Sequence, residues 1–164
     1  MALKGDRYEA ITDISYFMNE VATRGGIASV STVGSGAALD QGVALVTYKA
    51  SPSGAKPVGM LLNDMVNIDQ TRQHINLHQN QVQKGGKVTL LLKGWAVTNF
   101  VYSGVTPSGY ETAFLAGSGY VTNLIGGGGP VSSPPVGNFM SKKDEAGYCK
   151  LWVELPYQNL LLQW

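Results

Sequence analysis

At 164 residues the chain is long enough to bury one substantial core and too short for two full domains joined by a linker. Only 14% of its residues are charged and 21 are glycine, which points to many turns and a surface rich in amides and hydroxyls. Twelve basic against eleven acidic side chains leave a net charge of +1, which gives no driving force for holding a nucleic-acid backbone, and the single cysteine excludes an internal disulfide or a multi-thiolate metal site.

Residues 1–26 are the most charged part. Ile11, Ile14, Met18 and Val21 recur at helical spacing, with Thr12 or Asp13 as a cap, yet the same stretch is rich in β-formers and serves an extended arm equally well. The start carries charges throughout and no apolar run of signal-peptide length, and no uncharged apolar stretch reaches the roughly 20 residues of a membrane span. The expectation is a soluble protein made in the cytoplasm, without a membrane partner.

From Gly25 the composition shifts to Gly, Ser, Ala and Val, and Gly42–Lys49 reads as a strand closed by the turn-rich Ser51–Lys56. Pro57–Leu62 is a short apolar strand. Lys87–Trp95 alternates, with Val88, Leu90 and Leu92 on one face and Lys87, Thr89, Leu91, Lys93 and Trp95 on the other. Further strands are predicted at Ala96–Tyr102, Glu111–Ala116 and Gly119–Leu124, separated by Gly104–Gly109 and Gly117–Gly119. The run Gly126–Pro135 reads as a flexible loop. Val136–Ser141, the turn Lys143–Gly147 and Tyr148–Leu155 then make a hairpin, with Cys149, Leu151, Val153 and Leu155 on one face. The apolar tail Tyr157–Trp164 needs something to pack against. The fold class is therefore all-β, mainly antiparallel, a small barrel or sandwich with an N-terminal arm and long glycine- and proline-rich loops. Its divisions are an arm at 1–26, a β-rich domain at 27–156 and a tail at 157–164.

No pattern completes a catalytic set. His74 and His78 stand four apart, but Ile75 occupies the position of the glutamate in the zinc motif H-E-x-x-H, so they read as polar-face hydrogen-bonding groups. Cys149 falls among core positions, where a thiol acts as a small hydrophobe. The glycine-rich stretches lack G-K-[ST], Ser35 and Ser118 lack G-x-S-x-G, and Asp64, Asp69, Asp144 and Glu145 read as turn or solvated carboxylates. Asn67, Gln70, Gln73, Asn76, Gln79, Asn80, Gln81 and Gln83 form an amide cluster, either a polar protein interface or a solvated connection.

Three stretches, KGDRYEAITDISYFMNEVATRGG, KPVGMLLNDMVNIDQTRQHINLHQNQVQKGGKVTLLLKGWAVTN and VGNFMSKKDEAGYCKLWVELP, cover over half of the chain. In wording and order they resemble the capsid decoration, or cement, proteins of tailed bacteriophages. That resemblance implies a non-enzymatic, cofactor-free, metal-free homotrimer on the outer surface of the virion head, with the major capsid protein as partner. It makes 1–26 the gripping arm, with Lys4, Arg7, Tyr8, Ile11, Tyr16, Phe17 and Arg24 as contact residues and Lys4–Tyr8 adding as a strand to a capsid subunit. Gln70, Arg72, Gln73, His74, His78 and Trp164 are expected at self-association or capsid contacts. The residues after the last strand depart from the family pattern. An alternative is a receptor- or glycan-binding module on a viral fibre or surface, with Trp95, Tyr102, Tyr110 or Trp152 as stacking platforms. A third, enzymatic reading requires His74, His78, Asp69 or Cys149 to converge in one pocket.

Overall fold

The structure is a computed structural model, and it describes residues 2–31, 45–64, 80–124 and 133–155. The chain is all-β and mainly antiparallel. In chain order the strands are β1 (Leu3–Asp13), β2 (Phe17–Met18), β3 (Ala22–Thr23), β4 (Ile27–Val30), β5 (Leu45–Thr47), β6 (Pro57–Asp64), β7 (Gln81–Val82), β8 (Val88–Thr98), β9 (Thr112–Leu115), β10 (Val121–Thr122), β11 (Pro135–Phe139) and β12 (Cys149–Glu154), with one 3₁₀ turn at Gly117–Gly119. Ten of them form one sheet in the order β10-β9-β11-β12-β8-β6-β4-β5-β2, with β1 added beside β8, while β3 and β7 pair separately.

β8 organises the sheet. β1 runs antiparallel along it from Leu3 opposite Thr98 to Asp13 opposite Leu90. A strand has two edges, so the second edge of β8 is shared: β6 takes Val88–Leu91 and β12 takes Lys93–Thr98. The division falls at Leu92, whose carbonyl accepts the Leu155 amide at 2.7 Å. From there one half of the sheet continues through β6, β4 and β5 and the other through β12, β11 and β9.

Two apolar clusters follow from this arrangement. The first draws on both halves: Ile27, Met60, Leu62 and Leu91 on one side and Leu115, Phe139, Leu151 and Val153 on the other. The second lies on the opposite face of β4, β6 and the first part of β8, and contains Ala28, Leu61, Val88 and Leu90 with Met18, Val46 and Val82. These strands are thus covered on both faces, which explains their near-continuous apolar runs GMLL and TLLL. Leu91, expected on the polar face of its strand, is fully buried for this reason. Ala96–Tyr102 is likewise not a separate strand: β8 passes through Trp95 and Ala96 to Thr98, because Gly94 supports a close strand approach and no turn.

Residues 2–26 form strands joined by bends and a turn, and no helix. Met18 is fully buried while Ile11, Ile14 and Val21 are exposed, so the helical stripe of the sequence does not form a common face. β1 to β3 are integral to the sheets, and Leu3, Met18 and Ala22 are core residues. The hairpin β11–β12 forms as the sequence predicts, with Cys149, Leu151, Val153 and Leu155 all buried. Its turn is held by Asp144, whose carboxylate accepts the Tyr148 amide at 2.8 Å while its own amide donates to the Tyr148 carbonyl. The strands expected at Gly42–Lys49 and Gly119–Leu124 shorten to β5 and β10, with residues 42–44 outside the described residues.

Two polar contacts tie the loops to this frame. Thr98 is fully buried; its hydroxyl donates to the Gly25 carbonyl at 2.8 Å and accepts the Phe100 amide at 3.1 Å. Thr98→Val keeps the shape and orphans both groups, so urea unfolding should show a loss of about 2 kcal/mol, while Thr98→Ser should lose less. Glu111 accepts the Ser108 amide at 3.0 Å and the Asn123 side-chain amide at 2.8 Å, and these bonds, the Ser108 amide first, hold its pKa below the usual glutamate value. A depressed carboxylate pKa contributes stability that is complete above the unfolded-state value and is lost as pH falls through the folded-state value. Glu111→Gln should therefore lower stability at neutral pH and flatten the acid limb of a melting-temperature profile.

Candidate docking surface

β1 is an eleven-residue strand whose side chains from Lys4 to Thr12, half-buried Arg7 apart, are exposed whichever face they occupy. Tyr8 and Ile11 expose 53% and 51% of their surface. Leu3 plugs one end into the first cluster, and β8 takes one edge. Among the described residues no strand pairs with the other edge. An edge strand can template another chain; β1 carries Lys4, Asp6, Arg7, Glu9 and Asp13 and three register irregularities against β8, which limit indiscriminate pairing, while Tyr8 and Ile11 remain exposed on it as large apolar groups.

The register adds an aromatic row beside that edge. Tyr8 stands opposite Trp95, and Trp95 stands opposite Trp152, so three rings occupy directly opposed positions on β1, β8 and β12. Opposed residues share a face of the sheet. It is the outer face, since Leu151 and Val153 on either side of Trp152 point into the first cluster. The Lys150 ammonium lies 3.7 Å from the centre of the Trp95 ring, and Lys4 lies 4.4 Å from that of Tyr148. Lys93 faces Glu154 at 3.7 Å, and Arg7 bonds Glu9 on the strand itself. These exposed ion pairs contribute little to stability. Aromatic and arginine side chains around an apolar centre are the composition that dominates binding energy at protein interfaces.

The seven residues expected to grip a partner divide into two groups. Lys4, Arg7, Tyr8 and Ile11 lie together on β1. Tyr16 packs against the second core cluster, Phe17 sits on β2 opposite Leu45 with Lys87 5.7 Å from its ring, and the Arg24 amide donates to Asn80 in the turn after β3. These three therefore lie apart from the β1 group. Gln70, Arg72, Gln73, His74, His78 and Trp164 lie outside the described residues, as do Asp69 and most of the amide cluster. Cys149 is buried in the first cluster, and its thiol donates to the Ser141 carbonyl at 2.9 Å. Burial raises its pKa, so the thiolate a nucleophile needs is disfavoured.

Trp95 and Trp152 belong to strands whose alternation the sequence displays, whereas the register that brings Tyr8 opposite Trp95 and Trp95 opposite Trp152 joins strands separated by tens of residues and has no local signal. No protein-family model and no curated protein sequence matches the chain.

Proposed function

We propose that this chain is a structural binding protein, a capsid decoration subunit that docks on the outside of an assembled phage head and stabilises it against internal DNA pressure. The observation that carries this reading is β1: a long strand with Tyr8 and Ile11 exposed and one edge without a strand partner among the described residues. Such an edge suits addition to a strand of the major capsid protein, with main-chain hydrogen bonds giving affinity and Tyr8, Ile11 and Arg7 giving specificity. The row Tyr8–Trp95–Trp152 extends the contact onto the outer face of the sheet.

In this reading the chain is not an enzyme and takes no cofactor. It is made in the host cytoplasm, works on the virion surface and self-associates as a homotrimer, so that three weak β1 contacts gain from one another through effective concentration. The two halves of the sheet, closed over the first cluster, form a sandwich that holds β1 on its flank. Because the protein binds the expanded shell and not its dissociated subunits, each bound copy shifts the assembly equilibrium toward the intact head.

The test is heat resistance. Purified protein is added to expanded, decoration-free heads of the phage encoding it, and the temperature of DNA release is measured. A rise that saturates with added protein supports the cement role; an unchanged release temperature at saturating protein sinks it.

A further inference from the structure

A second surface lies just beyond the Thr98 end of β8, where the bridge between Val101 and Val121 aligns aromatic side chains. That pairing is parallel, and it is reinforced by the Tyr102 amide donating to the Val121 carbonyl at 2.8 Å and the Val121 amide donating to Phe100 at 2.9 Å. Val101 and Val121 turn into the first cluster. Phe100 and Tyr120 therefore align on the other side, their ring centres 4.9 Å apart, and Tyr102 follows two residues after Phe100. Behind Phe100 stands Tyr48 at 5.6 Å, whose hydroxyl donates to the Thr23 carbonyl and accepts the Gly26 amide at 3.0 Å. The stack Tyr48–Phe100–Tyr120 is thus anchored to the backbone at its inner end and presents Tyr120 at its outer end.

In front of it is a cleft of about 370 Å³ lined by Val101, Tyr102, Ser103, Gly117, Ser118 and Tyr120. Tyr102 is 45% exposed and Tyr120 38%. Ser118 is held in the left-handed region, at φ 57° and ψ 34°, with its amide bonded to the Lys49 carbonyl at 2.8 Å. Such a conformation is costly for a residue with a side chain, and its use here sets Ser118 on the wall of the cleft. The described lining contains two phenol rings and two serines, and no charged side chain.

From this chemistry we infer that the cleft binds a neutral carbohydrate. Rings with an apolar face and a polar rim suit the C–H faces and hydroxyls of a pyranose, and the serine hydroxyls supply donors and acceptors without selecting for charge. The anchored stack holds Tyr120 in place before ligand arrives, which reduces the ordering cost of binding. The site does not rest on the capsid reading and would operate on the free subunit as on a decorated head.

The experiment uses the full chain without heads. Maltohexaose, cellohexaose, chitohexaose, xylohexaose and laminarihexaose are titrated by calorimetry, and any ligand is mapped by amide chemical shifts. The expected result is binding of at least one of them with shifts at 101–103 and 117–120. Tyr102→Ala and Tyr120→Ala should each weaken it by roughly tenfold. Tyr102→Phe, which keeps the ring, should stay within a few-fold of the parent, and Ile14→Ala, exposed and outside the cleft, should bind unchanged. Melting curves of Tyr102→Ala check that the fold survives. The inference is overturned by absence of binding across the panel, by shifts elsewhere, or by binding insensitive to Tyr102→Ala in a folded protein. A preference for uronic-acid or sialylated oligosaccharides over all neutral ones would also overturn it.

Discussion

Gly137→Ala and Gly94→Ala are expected to be the most destabilising single-methyl additions in the described residues, each costing about 3–5 kcal/mol. The two glycines lie in one row across the sheet: Gly94 on β8 and Gly137 on β11 both stand opposite Val153 on β12. At Gly137 an added Cβ would lie 1.8 Å from the carbonyl oxygen of Trp152, and at Gly94 it would lie 2.0 Å from that of Tyr8. Both obstacles are backbone, so a side-chain rotation cannot relieve them. Gly94 also has φ near +147°, a region closed to most residues with a Cβ. The total stability of a domain is only about 5–15 kcal/mol, so either change removes a large share of it. The two should fail differently. β11 and β12 are enclosed by neighbouring strands and cannot part, whereas β1 can lift from β8 and relieve Gly94→Ala by local opening. Urea unfolding should therefore rank Gly137→Ala as the worse, and hydrogen exchange should find β1 amides deprotected in Gly94→Ala while those of β12 remain slow. Two variants within about 1 kcal/mol of the parent would show that the strands are not this close.

The second large effect concerns the proposed decoration role. On that proposal Tyr8→Ala and Ile11→Ala should each weaken attachment to heads by roughly 30-fold, the weight of a hot-spot residue of about 2 kcal/mol, with more than additive loss in the pair. Stability should barely change, because exposed substitutions away from special features stay within about 0.5 kcal/mol. That separation is the informative part: a variant that loses binding and keeps its melting curve has lost contact and not fold. Trp152→Ala on the same row should weaken binding less. Tyr16→Ala, which removes packing against the second core cluster, should lower stability before it affects attachment.

What the sequence revealed follows from how local each feature is. The hairpin of β11 and β12 was legible because its signals lie within twenty residues: an alternating YCKLWVEL, a preceding strand and an Asp-containing turn. The buried state of Cys149 followed from the same alternation. Strand content was legible for β6 and β8, but the side facing the core was not, since alternation ceases to discriminate where both faces are covered; hence Leu91. Residues 1–26 carried both a helical and a strand-like pattern, and the free edge of β8 decided for the strand, a choice made by residues some ninety positions away. Four of the seven expected grip residues gathered on β1 because they are near neighbours in one strand. Tyr16, Phe17 and Arg24 separated from them because the chain turns into the second core cluster after Asp13. The aromatic row depends on register between distant strands, which neither composition nor spacing encodes.

Attachment of β1 to an assembled shell, as proposed, is measured by co-sedimentation with expanded, decoration-free heads, comparing the parent chain with the Tyr8→Ala, Ile11→Ala pair at matched folded concentration. Saturable binding at a fixed ratio to capsid subunits is expected for the parent, and its loss for the folded double variant. Equal binding by both would place the attachment elsewhere on the molecule, and no binding by the parent would contradict the decoration role itself.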